Sequence, residues 1–136
     1  MQLALHHVSI PTENLVRAIQ FYEGVLGLKQ VARPPFSSVG AWLGVGALQI
    51  HLIVYSAAHF RRDKNIDNDD VHFALRTEDF ENAYQLLRSH GYDEGLEGDD
   101  PKRMILKRTG LAGFAQLFVM DPDRNIIEIN TAPYNT

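Results

Sequence analysis

Leu5-His6-His7-Val8-Ser9-Ile10-Pro11-Thr12-Glu13-Asn14-Leu15 and, 65 positions on, Asp70-Val71-His72-Phe73-Ala74-Leu75-Arg76-Thr77-Glu78-Asp79-Phe80 read as two versions of one strand-to-helix passage. His7 falls on His72, Thr12-Glu13 on Thr77-Glu78, Ala18 on Ala83 and Gln20 on Gln85. At the other end of each half, Gln49-Ile50-His51-Leu52 lies over Ile126-Ile127-Glu128-Ile129 at an offset of 77. The second half has therefore gained about a dozen residues, which we place at Asp99 to Gly113. Two matched points at this spacing argue for an internal duplication.

Local signals give each copy the same element order. Leu3 to Ile10 reads as a strand, Thr12 or Asn14 caps a helix running to about Tyr22, and Gly27 stops it. Strand-like runs follow at Leu28 to Arg33, Val39 to Val45 and Ala47 to Val54, with Gly44-Val45-Gly46 as a hairpin turn. The second half repeats this with Val71 to Arg76, a helix from Asp79 or Phe80 to His90, and strands at Tyr92 to Leu96, Ala115 to Met120 and Ile126 to Asn130. The expectation is an α+β fold of two paired βαβββ modules, about 1–55 and 70–132, forming one domain over 1–136. The polar, charged segment 56–69 is a linker and a candidate lid.

Composition narrows the function. Modules of about 65 residues seldom bury an adequate core alone, so the halves are expected to pack together as a curved, cleft-lined sheet with helices outside. A net charge of -4 offers no basic stripe for nucleic acid. With no cysteine, disulfides, thiolate metal sites and a cysteine nucleophile are excluded. The first residues lack the basic and apolar regions of a secretion signal, and no apolar run approaches the ~20 residues of a membrane span, so a soluble, cytoplasmic protein is expected.

Strand parity turns this pattern into chemistry. Leu48, Ile50, Leu52 and Val54 share one face of their strand and His51 the other; Ile127 and Ile129 oppose Glu128; Val71, Phe73 and Leu75 oppose His72. A lone strand histidine is usually an ordinary core or surface residue. Three histidines and a glutamate at two pairs of repeat-equivalent places instead suit a divalent metal: His7, His51, His72 and Glu128 would hold Zn, Ni, Co, Mn or Fe. Their net charge of about +1 with the ion would lower a bound water's pKa or hold an enolate-like oxygen. His6, next to His7, is expected to face the other way, and His59 and His90 to be loop and helix-end residues. Two basic loops, Arg61-Arg62 with Lys64 and Lys102-Arg103 with Lys107-Arg108, point to an anionic ligand if they close over the cleft.

The stretches HHVSI (His6 to Ile10), AIQFYEGVLGL (Ala18 to Leu28), GAWL (Gly40 to Leu43), LQIHLI (Leu48 to Ile53), VHFAL (Val71 to Leu75) and DPDRNIIEI (Asp121 to Ile129) carry a resemblance over nearly the whole chain. The chain resembles the vicinal oxygen chelate superfamily of glyoxalases, bleomycin resistance proteins and dioxygenases, in its glyoxalase I-like branch. The resemblance implies paired βαβββ modules, a metal between them and a homodimer, and it maps the metal ligands onto His7, His51, His72 and Glu128. One position departs: glyoxalase I normally has a glutamate where His51 stands, so its two-carboxylate proton shuttle is not matched.

The expected function is that of a metal-dependent lyase, isomerase or thiol transferase acting on a small, oxygen-chelating, anionic substrate through a metal-stabilised oxyanion. Glu128 would be ligand and base, with Gln49, Arg76 and Gln116 lining the cleft. The rivals are a non-haem Fe(II) extradiol-type dioxygenase and a non-catalytic antibiotic-binding resistance protein.

Overall fold

The computed structural model describes residues 1–133; Tyr134 to Thr136, the end of the expected 1–136 domain, lie outside it. The chain divides into two units, Met1–Phe60 and one beginning at Arg61. Each is βαβββ with its own four-stranded sheet. No described helix is long and apolar enough to cross a membrane.

In the first unit β1 (His7–Thr12) leads into α1 (Leu15–Tyr22), followed by β2 (Lys29–Val31), β3 (Gly40–Val45) and β4 (Leu48–Val54). The Asn14 side chain caps α1 by accepting from Arg17 N at 3.1 Å, and the buried Thr12 hydroxyl accepts from Asn14 N at 3.1 Å. These bonds satisfy local donors where strand becomes helix. The sheet order is β1-β4-β3-β2, with β1 parallel to β4 and the other pairs antiparallel. Ala18, Phe21 and Tyr22, one stripe of α1, are buried together with Ile10, Ala41, Leu43, Ile50 and Leu52 from one face of the sheet. Each fully buried large side chain contributes about 1.5–3 kcal/mol. The β3–β4 hairpin turns one residue later than its glycines suggest: Gly44 and Val45 are in β3, and Gly46, at φ +57°, makes the turn with Ala47.

The second unit runs β5 (His72–Arg76), α2 (Phe80–Ser89), β6 (Ile105–Lys107), β7 (Gln116–Met120) and β8 (Ile126–Asn130), in sheet order β5-β8-β7-β6. Asp79 caps α2, and Phe80, Tyr84 and Leu87 are buried along with Leu117, Val119, Ile127 and Ile129. The turn before β8 is held by the Asp121 carboxylate, which accepts from the backbone of Asp123 and Asn125 and from the Asn125 amide, each at 2.9 Å.

Two local expectations fail. Tyr92 to Leu96 is not a strand: the Asp93 side chain accepts from Gly95 N at 2.8 Å, a turn that breaks the extended run after one isolated bridge to Arg103. The strand that pairs with β7 is instead β6, inside the stretch read as an insertion. At the start of the chain, strand structure begins at His7, and Leu3 and Leu5 are exposed.

The segment from Arg61 to Asp70 is a folded loop of the second unit. Arg61 donates to Asp70 at 2.8 Å and to the Asn65 carbonyl at 2.6 Å, and it reaches Met120 Sδ at 3.5 Å. Its apolar anchor, Ile66, packs with Phe118, Met120, Ile126 and Ile105. Arg124 ties the same loop down by donating to Lys64 O and, at 2.8 Å, to Asp99 O.

Candidate metal centre

Strand register places the expected ligands on equivalent positions. In the first sheet His7 stands opposite Gln49, and both Ser9 and Trp42 stand opposite His51. In the second, His72 stands opposite Ile126, and both Ala74 and Phe118 stand opposite Glu128. His7 thus matches His72, His51 matches Glu128, and Trp42 matches Phe118. All six lie on the faces turned away from the helix-covered rows, because side chains alternate along each strand.

His7 and His51 are brought into contact. The His51 ring is sandwiched between His7, at 3.8 Å between centroids and 14°, and Trp42, at 4.1 Å and 4°. Only 6% of His51 is exposed, so its neighbours fix the ring plane. Its Nε2 lies 2.8 Å from Gln49 Oε1. That oxygen only accepts, so Nε2 carries the hydrogen and Nδ1 keeps its lone pair. Burial pushes the His51 pKa down, and His7, His6 and Arg33 push it further, favouring the neutral imidazole that ligates metals.

His6 departs from expectation. It precedes β1, so strand alternation does not aim its side chain, and its Nδ1 lies 2.9 Å from His7 Nδ1. Ligand atoms of His6, His7 and His51 all fall within 4.8 Å of one another.

His72 and Glu128 are brought together likewise. Glu128 is 7% exposed. Its Oε2 accepts from Gln116 at 3.1 Å and from Asn130 at 2.6 Å, while Oε1 lies 3.4 Å from His72 Nε2. His72 Nδ1 donates to the Asp70 carbonyl at 2.8 Å, which leaves Nε2 as the ring nitrogen that faces Oε1. Ligands bound at about 2.0–2.2 Å in a tetrahedral site stand some 3.4 Å apart, so this pair fits a divalent ion as it stands. Imidazole nitrogen and carboxylate oxygen are also the right donors for a borderline metal.

Among the expected lining residues, Gln49 and Gln116 each hold a candidate ligand. Arg76 shares the Glu128 face but donates to Ala132 O at 2.6 Å and lies 3.6 Å from Glu78. Sequence reasoning missed two residues, Asn130 and Trp42. Asn130 was readable as lying on the Glu128 face, two places on; Trp42 had no signal beyond alternation in Gly40 to Leu43. Several loop cations have internal partners: Arg61 with Asp70, Arg108 with Glu81, Lys102 with the His90 carbonyl and Arg103 with the Gly98 carbonyl. Lys107 differs, pairing across from Gln116 in β6 with its ammonium 6.0 Å from the Phe118 ring centre.

The family model of the Glyoxalase/Bleomycin resistance protein/Dioxygenase superfamily matches residues 4–129. The chain belongs to that superfamily. A relative, Glyoxylase I 4 of Arabidopsis thaliana, is 29% identical over 93% of this chain and 69% of its own length. The superfamily fold is also seen in a crystal structure of a glyoxalase family protein from Bacillus anthracis (TM-score 0.76, 18% identity, 98% of each chain). A genomically encoded fosfomycin resistance protein from Listeria monocytogenes is similar too (TM-score 0.70, 12% identity, 98% of this chain and 96% of that one). At these identities the solved structures speak for the fold.

Proposed function

We propose that this protein is a metal-dependent enzyme of the glyoxalase I-like type, acting as a lyase, isomerase or thiol transferase on a small anionic substrate with two neighbouring oxygens. In this reading His7, His51, His72 and Glu128 are ligands of a divalent ion. The observation that carries this reading is the setting of Glu128: a buried carboxylate with one oxygen held by two amides and the other 3.4 Å from His72 Nε2.

A divalent ion held there would supply Lewis acidity, easing removal of a proton beside the substrate's oxygens. Glu128, the one carboxylate of the set, would be the base that takes that proton and returns it. Gln116 and Asn130 keep the carboxylate from turning, and Gln49 and Trp42 do the same for His51. Lys107 supplies a positive charge for an anionic group. Because a histidine replaces the second carboxylate, proton removal and return use one base, and the two-base course of glyoxalase I is not expected.

Elemental analysis of protein purified without chelator tests the core of this reading. About one divalent ion per chain is expected. No ion, together with no rise in melting temperature on adding Zn, Ni, Co, Mn or Fe salts, would overturn it.

A second reading is sequestration of a flat organic ligand without chemistry. It is favoured by an aromatic surface on the first unit, where the exposed Phe36 lies 6.0 Å from Trp42 and beneath Arg33. Tight binding of bleomycin, unaffected by chelator, would select it. The iron dioxygenase alternative predicts oxygen uptake with a catechol after anaerobic loading with Fe(II).

A further inference from the structure

We infer that His6, His7 and His51 bind a divalent cation by themselves, as a three-imidazole site contained in the first unit that does not require His72 or Glu128. Two of its ligands are shared with the reading above and rest on it. His6 is the new one.

Three observations carry this. The backbone at His6 is held beside β4, since Gln49 N donates to the His6 carbonyl at 3.1 Å, yet its side chain is free of strand alternation and turns to His7. Two ring nitrogens 2.9 Å apart have room for one proton between them or an ion beside them. The third ring, His51, is buried and backed by Trp42, so one ligand is fixed while the two exposed ones can adjust. Nitrogens about a tetrahedral ion with bonds of about 2.0–2.1 Å stand some 3.4 Å apart, so from a spread of at most 4.8 Å the distances are within reach once the exposed His6 and His7 rings turn, His7 out of its stack on His51. Exposure leaves the fourth position to water.

The donor set also sets the preference. Three imidazoles with no carboxylate favour Zn(II), Ni(II) or Cu(II) and disfavour Mn(II), which prefers oxygen ligands. The four-residue site, containing Glu128, keeps Mn(II) within range. The two sites therefore share His7 and His51 and differ in having His6 in place of His72 and Glu128, and in their tolerance of Mn(II).

The test uses the full chain carrying His72→Ala and Glu128→Gln together, with Zn(II) and Mn(II) binding measured by equilibrium dialysis. This variant is expected to keep about one Zn(II) per chain and to lose Mn(II). Adding His6→Ala removes a direct ligand. Since an outer-shell partner alone is worth about 10–100-fold in affinity, Zn(II) binding should weaken at least about tenfold, while His90→Ala as a control leaves it unchanged.

Histidine ring nitrogen resonances of the unmutated protein give a second readout, independent of the variants' folding: Zn(II) should shift His6 along with His7 and His51. Loss of Zn(II) from the double variant, no effect of His6→Ala, or an unshifted His6 would each overturn the inference. If the double variant fails while the unmutated protein binds one ion, the proposed function survives. If the unmutated protein binds none, both fall.

Discussion

Glu128 is the residue on which the chemistry turns. Glu128→Gln keeps the size and one oxygen but removes charge and basicity, and its new amide group faces either the donors of Gln116 and Asn130 or the space beside His72. If the protein moves protons, the variant should lose turnover by about 10²–10⁴ while remaining folded, the amount a positioned base supplies. Solvent-deuterium exchange into substrate checks this, and unchanged exchange would remove Glu128 from the mechanism. His51 gives a second prediction, for the metal-free protein. Its pKa is lowered by burial first and then by His7, His6 and Arg33, so its ring proton should titrate below the ordinary value of about 6.5 in an NMR titration. The sign for stability follows from a depressed histidine pKa. Both states are neutral above about pH 6.5, and stability falls from there toward the folded midpoint because the unfolded chain takes up the proton more readily. Trp42→Ala, which uncovers one face of the ring, should bring the midpoint back up.

At the scale of elements, the Arg61–Asp70 loop makes the sharpest prediction. Ile66 is 5% exposed against Phe118, Met120 and Ile126 on the sheet face that carries Glu128. Truncation to alanine should cost about 2–5 kcal/mol in urea unfolding, the usual range for a buried isoleucine. Leu111→Ala, at a fully exposed position, should cost almost nothing, and equal losses would show that the loop does not pack. Removing Arg61 should also loosen the loop, because its guanidinium ties Asp70 to the Asn65 carbonyl and rests on Met120. Both helices were legible, the first from Thr12 or Asn14 as a cap and Gly27 as a stop and the second by its match to the first, since capping signals are local; which of Thr12 and Asn14 caps α1, and that Asp79 caps α2, came from the structure. β6 was not legible. Tyr92 to Leu96 carries as much strand signal as Ile105 to Lys107, and only the side-chain turn at Asp93 and the ladder to β7 decide between them.

For the whole molecule, each sheet ends in edge strands, β1 and β2 in one unit and β5 and β6 in the other, and symmetric pairing of two copies is the usual way to cover such edges. A homodimer is the expected state, and light scattering at micromolar concentration should give about twice the 15.4 kDa chain mass. A clean monomer would count against it. The sequence alone determined the duplicated βαβββ order, the two rows of each principal strand and the candidate ligands on the rows away from the helices. Those features follow from a period of two along a strand, which a linear pattern records. Only the tertiary structure decided that His6 joins His7 and His51, that Trp42 stacks on His51, that Gln116 and Asn130 hold Glu128, and that Ile66 folds back onto the Glu128 face. Each of these depends on which side chains meet across strands distant in the chain and in which rotamer. Alternation settles the face a residue occupies but not what it touches there.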